Sequence, residues 1–107
     1  MSLKREIIVT TQHIGFHSWP EAPDVVSFLR NKHRHLFKIK VGIPVYHNDR
    51  QREFFIEQAD LNAALDAYNM QDVGSCEMLA AHLLNTIPHA SWCEVWEDGE
   101  NGARLTR

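Results

Sequence analysis

The chain has 107 residues, of which 44% are hydrophobic and 23% charged, and its formal net charge at pH 7 is −3. This length fits one domain, which we expect to span residues 1–107, and the composition excludes a disordered tail or a collagen-like fibre. The small negative charge gives no general attraction to nucleic acid, and the longest apolar runs are too short to cross a bilayer. We therefore expect the protein to associate with neither nucleic acid nor a membrane.

The first half of the chain predicts two strands separated by a short helical stretch. Residues 5–17 are rich in β-branched side chains and predict the first strand. A proline-containing break follows, after which Asp24 is suited to cap a short helical stretch. Residues 33–46 alternate strictly and predict a second strand, whose apolar face is formed by Phe37, Ile39, Val41, Ile43 and Val45.

The second half of the chain predicts two helices followed by two strands. We expect Glu53–Ile56 to return as a strand after a polar loop, and apolar residues at helical spacing from Glu57 to form the first helix. Ser75 is expected to cap a second helix. Strands are then predicted at Trp92–Glu97 and Ala103–Thr106, joined by a turn. This order favours an α+β fold with an antiparallel sheet.

The spacing of the histidines suggests a metal site. His33 and His35 open the second strand, where residues two apart share a face with Cα atoms about 6.6 Å apart. His17 ends the first strand, which can lie beside the second. Three imidazoles with an open fourth position are typical of catalytic zinc. The alternative is a solvated basic patch that includes Lys32 and Arg34.

A carboxylate ends the third predicted strand. Glu97 shares a face with the apolar residues Cys93 and Val95. A carboxylate in that position can accept two hydrogen bonds from an N–H and an amino group side by side, as found on pterins and guanine-like rings. The alternative is that Glu97 simply begins a charged turn with Asp98.

Taken in order, these residues resemble the tunnelling-fold enzymes related to 6-pyruvoyl-tetrahydropterin synthase and 6-carboxy-tetrahydropterin synthase. That family has a His ending the first strand, two His opening the second, a Ser- or Thr-rich start to the second helix and a Glu late in the third strand. The corresponding residues in this chain are His17, His33-Arg34-His35, Ser75-Cys76-Glu77 and Val95-Trp96-Glu97. The resemblance spans nearly the whole chain.

The resemblance implies a tunnelling fold, in which a four-stranded antiparallel sheet carries two helices on one face and several copies join into an oligomeric barrel. It implies that His17, His33 and His35 hold Zn²⁺ and that Glu97 anchors a pterin- or purine-like ring. The family's sites lie between subunits, in trimers that pair into hexamers, so the resemblance implies a homo-oligomer.

The chain departs from the family at the positions that transfer protons. Leu29 stands four residues before the histidine pair, where the family has its catalytic Cys, and Asp66-Ala67 stands where the family has Asp-His. We expect proton transfer to fall to other residues instead, namely His13 on the first strand, Glu21 or Asp24.

These features together predict a zinc-dependent, lyase-like enzyme that acts on a pterin- or deazapurine-type ligand with altered catalytic groups. The alternative is a non-catalytic ligand-binding or assembly module on the same fold. Two cysteines with no CxxC motif, and a charged start to the chain where a signal peptide needs an apolar core, favour a cytoplasmic location.

Overall fold

Four strands and two α-helices make up residues 3–107, the part of the chain that the computed structural model describes. In chain order they are β1 (Arg5–His17), a 3-10 helix (Asp24–Leu29), β2 (His33–Val45), α1 (Phe54–Asp66), α2 (Cys76–Thr86), β3 (Trp92–Glu97) and β4 (Asn101–Thr106). The strands form one sheet in the order β1-β2-β3-β4, with every neighbouring pair antiparallel. The predicted α+β class and the four-stranded antiparallel sheet are confirmed.

The apolar face of β2 is the centre of the core. Phe37 and Ile39 are fully buried there, as the alternation of the sequence predicted. Both α-helices bury apolar residues in the same cluster, so they pack on this face of the sheet and remove it from water. Their fully or almost fully buried contributions include Leu61 and Leu65 from α1, and Leu79 and Leu83 from α2.

The two α-helices begin at side-chain caps, one of which the sequence interpretation missed. The Ser75 hydroxyl accepts a hydrogen bond from the Met78 N–H at 3.1 Å, which confirms the predicted cap of α2. The predicted strand at Glu53–Ile56 is wrong, because the Glu53 carboxylate accepts from the Ile56 N–H at 2.8 Å and starts α1 at Phe54. The apolar run after Glu53 resembles a strand in sequence but stays exposed in the first turn of this helix.

The turn between β3 and β4 is tighter than the sequence suggested. Asp98 and Gly99 both have positive φ, at 55° and 72°, and the last strand begins at Asn101 rather than Ala103. This turn brings Asp98 back against β2, where its N–H donates to the Leu36 carbonyl. Within residues 3–107, no helix combines the length and the apolar character that a membrane crossing requires.

Candidate metal centre

Three imidazole rings meet at the end of the β1–β2 pair. His17 lies directly opposite His33 in the strand register, and His35 follows on the same face of β2. The centroid of the His17 ring lies 4.5 Å from that of His33 and 5.0 Å from that of His35. The His33 and His35 centroids are also 5.0 Å apart. The predicted convergence of these three side chains is therefore present in the structure.

Each of the three rings uses its Nδ1 atom for a hydrogen bond to an oxygen. His17 donates to the Gly74 carbonyl at 2.7 Å, His33 to the Asn31 carbonyl at 2.8 Å and His35 to the Asp98 carboxylate at 2.6 Å. Carbonyl and carboxylate oxygens only accept, so the proton must be on Nδ1 in each ring. This pattern orients a histidine ligand and leaves Nε2 with a lone pair available to a metal ion.

The three rings bring ligand nitrogens close together. One ligand nitrogen from each of the three histidines lies within 4.8 Å of the other two. The Nε2 atoms of His33 and His35 are buried and have no hydrogen-bond partner among the described residues. Leaving a buried polar atom unpaired costs on the order of 1–3 kcal/mol, so two together are a feature that a bound cation would explain.

A glycine on β1 permits the contacts that hold His17 in place. A Cβ on Gly15 would lie 2.9 Å from both the Phe37 ring and Val73, so only glycine fits without movement. The segment that ends at Gly74 can therefore pack on β1, where the Val73 N–H donates to the Phe16 carbonyl at 2.9 Å. This packing brings the Gly74 carbonyl to His17, and the buried Phe37 ring forms the apolar floor of the site.

Glu97 also lies at this site. Its Oε2 atom is 3.3 Å from His35 Nε2, and its Oε1 atom is 3.7 Å from His17 Nε2. From the other side, the Cys76 thiol donates to Oε1 at 3.6 Å. Burial, with the Glu97 carboxylate as a second cause, raises the pKa of Cys76 to about 12, so this thiol stays protonated at neutral pH.

Asp98 is a site residue that the sequence interpretation treated only as part of a turn. One oxygen accepts from His35 Nδ1 at 2.6 Å and the other from the Leu36 N–H at 2.8 Å. These hydrogen bonds, that of His35 first, hold the pKa of Asp98 below its ordinary value. The adjacent Asp98-Gly99 pair was a sequence signal for a tight turn, but the contact with His35 depends on that turn folding back onto β2.

The three residues expected to move protons have other surroundings. His13 Nε2 lies 3.3 Å from the Asn62 side-chain oxygen of α1. The Asp24 carboxylate accepts from Arg30 at 2.6 Å and is almost wholly exposed, and Glu21 is exposed on the segment between β1 and the 3-10 helix. The structure therefore brings together His17, His33, His35 and Glu97. Among the described residues, none of the proton-transfer candidates makes a hydrogen bond or ion pair with them.

A second histidine–carboxylate cluster lies elsewhere in the fold. The Nε2 atom of His89 lies 2.8 Å from the Glu57 carboxylate, whose side chain is only 7% exposed. Arg52 donates to the other Glu57 oxygen at 3.0 Å. Burial raises the pKa of Glu57, but the hydrogen bonds from His89 and Arg52 outweigh it, so the pKa lies below its ordinary value.

The donor set of the first cluster could hold a metal ion, and zinc is one that suits such donors. Neutral imidazole nitrogens are the usual protein ligands of Zn²⁺, and His17, His33 and His35 each offer one with its ring orientation fixed. No protein-family model matches the chain. The curated proteins compared with it also include no significant match.

Proposed function

We propose that this protein is a zinc-dependent enzyme that acts on a pterin- or deazapurine-type ligand. The observation that carries the proposal is the convergence of three imidazoles whose Nδ1 atoms are all hydrogen-bonded, with the Glu97 carboxylate at the same point. The ordered resemblance to the tunnelling-fold synthases supports the same reading. His17, His33 and His35 would hold the ion, which would supply a Lewis acid for a carbonyl or hydroxyl oxygen of the ligand.

Glu97 would orient the ring in this proposal. Its two carboxylate oxygens would accept hydrogen bonds from an N–H and an adjacent amino group of the ligand. The side chain is 31% exposed, so it is both fixed by its neighbours and reachable from solvent. Glu21 and Asp24 remain the proton-transfer candidates, because they lie on the segment that joins His17 to His33, whereas His13 is held by Asn62.

Assembly into a homo-oligomer, a hexamer by resemblance, is part of the proposal. β1 and β4 are the edge strands of the sheet, and unpaired edges favour pairing with another copy. Several large apolar side chains are also exposed on the single chain, among them Val25, Phe28, Tyr46 and Phe55. The native mass in solution tests this part, and a stable monomer at micromolar concentration would contradict it.

A non-catalytic ligand-binding or assembly module is the second candidate. It is favoured by the state of the two thiols, because burial raises the pKa of both Cys76 and Cys93 to about 12. Neither thiol supplies a thiolate at neutral pH, and Leu29 occupies the position of the family's catalytic Cys. This candidate keeps the metal and the ring site and lacks turnover.

One experiment separates the two candidates. The zinc-loaded protein is titrated with a fluorescent pterin and then incubated with a pterin that carries a hydroxylated side chain, with products followed by chromatography. Saturable binding that Glu97→Gln abolishes, together with product formation, supports the enzyme. The same binding without product supports the module. Absence of saturable pterin binding by the wild-type protein would contradict both.

A further inference from the structure

The contact between Glu97 and His35 is short but is not a hydrogen bond. Glu97 Oε2 lies 3.3 Å from His35 Nε2, yet that nitrogen has no hydrogen-bond partner among the described residues. Because Asp98 engages the Nδ1 atom of His35, the Nε2 atom is the ring nitrogen that faces the Glu97 carboxylate. The second Glu97 oxygen faces His17 Nε2 in the same way, at 3.7 Å.

A carboxylate and two ring nitrogens this close together would all be attracted to one cation placed among them. Within residues 3–107, the ion-pair partners of Glu97 are His17 and His35, with no lysine or arginine. No permanently charged side chain therefore pairs with this carboxylate among the described residues. A metal ion held by the histidines would attract the carboxylate oxygen and the ring nitrogens alike.

The position of Glu97 is set by the fold. Glu97 lies opposite Phe37 in the β2–β3 register. His35 lies two residues before Phe37 on β2, so the side chains of His35 and Glu97 are on the same face of the sheet. The Cys76 thiol at the start of α2 donates to Glu97 Oε1 and holds the carboxylate from the helix side. A surface glutamate would have no such constraint on its direction.

From this juxtaposition we infer that Glu97 is the fourth ligand of the metal ion in the resting protein, so that three nitrogens and one oxygen close the site. The inference rests on the metal centre proposed above. Zinc accepts carboxylate oxygen as well as imidazole nitrogen. A ring that uses Glu97 for its amino edge must then draw this carboxylate away from the ion, so ligand binding itself opens the coordination position that the chemistry needs.

Cobalt substitution of the full-length protein tests this inference, since the visible absorption of Co²⁺ reports its coordination. The matched variants are Glu97→Gln and Glu100→Gln, because Glu100 carries the same charge on the exposed turn three residues away. We expect the wild type and Glu100→Gln to share one spectrum that azide does not change. We expect Glu97→Gln to bind Co²⁺ at least ~10-fold more weakly, with an altered spectrum that azide changes further.

The outcomes separate this inference from the metal centre itself. A Glu97→Gln protein with wild-type affinity, spectrum and azide response would overturn the fourth-ligand role and leave the three-histidine site standing. A wild-type protein that binds no Co²⁺ would overturn both. Circular dichroism checks that Glu97→Gln is folded. If it is not folded, the Co²⁺ affinity, spectrum and azide response are measured on Glu97→Ala instead.

Discussion

Two clusters in this molecule each combine histidine with a carboxylate, but their internal pairing differs. In the Glu57 cluster, His89 and Arg52 contact separate oxygens of one buried carboxylate, at 2.8 and 3.0 Å. In the histidine cluster, the Nδ1 atoms are paired with oxygens while the Nε2 atoms of His33 and His35 remain buried and unpaired. The first cluster pairs both oxygens of its carboxylate and leaves Arg52 Nε without a hydrogen-bond partner among the described residues. The second brings ligand nitrogens of three histidines together.

This difference is our basis for treating the Glu57 cluster as structural and for proposing the histidine cluster as a binding site. The partners of a buried charge offset the cost of its burial, so removing one partner leaves that cost uncompensated and destabilises the fold. Unpaired nitrogens that converge cost stability in the absence of a ligand and provide affinity in its presence. Variants of the histidine cluster should therefore mainly weaken zinc binding. Variants of the Glu57 cluster should mainly lower the free energy of unfolding.

The largest expected effect is on zinc affinity when a histidine of the convergent cluster is removed. His17→Ala, His33→Ala and His35→Ala should each weaken Zn²⁺ binding by more than ~100-fold, because losing a direct ligand exceeds the 10–100-fold typical of losing a residue that orients one. Competition with a chromophoric chelator measures the affinity. His89→Ala is the control and should bind zinc like the wild type. An equal loss of zinc affinity in all four variants would contradict the distinction between the clusters.

The next effect is on stability when the Glu57 cluster is broken. Glu57→Ala should lower the free energy of unfolding by about 2 kcal/mol, the magnitude of a charged hydrogen bond lost from a buried site. Urea denaturation measures it, without added zinc. His33→Ala should cost less than this under the same conditions, since its Nε2 atom is unpaired in the folded chain. A larger loss in His33→Ala than in Glu57→Ala would reverse the comparison.

The Glu57 contribution also depends on pH in a defined direction. Its pKa in the folded protein is lower than the ordinary value of 4.5, so folding favours the carboxylate. The stability that it adds should be fully present above about pH 4.5 and disappear as the pH falls through the folded pKa. The difference in unfolding free energy between wild type and Glu57→Gln should therefore shrink in acid. A constant difference from pH 7 to pH 3 would contradict this account.

A smaller effect is expected at Asp98, which accepts a hydrogen bond from His35 and is not itself a proposed metal ligand. Asp98→Asn should weaken zinc binding about 10-fold, because an amide oxygen is a weaker acceptor for the His35 N–H than a carboxylate. Asparagine tolerates the positive φ of 55° at this position, so the turn should survive. Chelator competition measures the change, and Glu100→Gln on the same turn should leave the affinity unaltered. Wild-type affinity in Asp98→Asn would show that this hydrogen bond does not support the site.

The smallest effect concerns Cys76. Burial, together with the nearby Glu97 carboxylate, raises its pKa to about 12, so iodoacetamide should modify it only slowly at pH 8 in the folded protein. Mass spectrometry follows the reaction, and unfolding in urea should accelerate it strongly. Rapid labelling of folded protein would indicate a thiolate at the site and would revive a nucleophilic role for this residue.

Most of the fold followed from local patterns in the sequence. The alternation from Phe37 to Val45 identified the buried face of β2, and the same parity placed His33 and His35 together. The Ser75 cap marked the start of α2. The prediction of a strand at Glu53–Ile56 was wrong because an exposed apolar run has the composition of a strand. The helix is started there by a single capping residue, Glu53.

The convergence of the three histidines was predictable because strand parity fixes which side chains share a face. Their supporting acceptors were not, since the carbonyls of Gly74 and Asn31 are backbone groups that any residue could supply. Asp98 reaches His35 only through the tertiary contact of the β3–β4 turn with β2. His89 likewise meets Glu57 across 32 positions of sequence, a distance over which no periodic pattern operates.

The stoichiometry of zinc in the full-length protein tests the central claim most directly. The protein is purified without chelators, incubated with excess Zn²⁺, freed of unbound metal and examined by elemental analysis beside His33→Ala. The account predicts one zinc ion per wild-type chain and almost none in the variant, with loss of the wild-type zinc as falling pH protonates the histidines. A wild-type protein that remains metal-free, or a His33→Ala protein that retains a full equivalent of zinc, would contradict it.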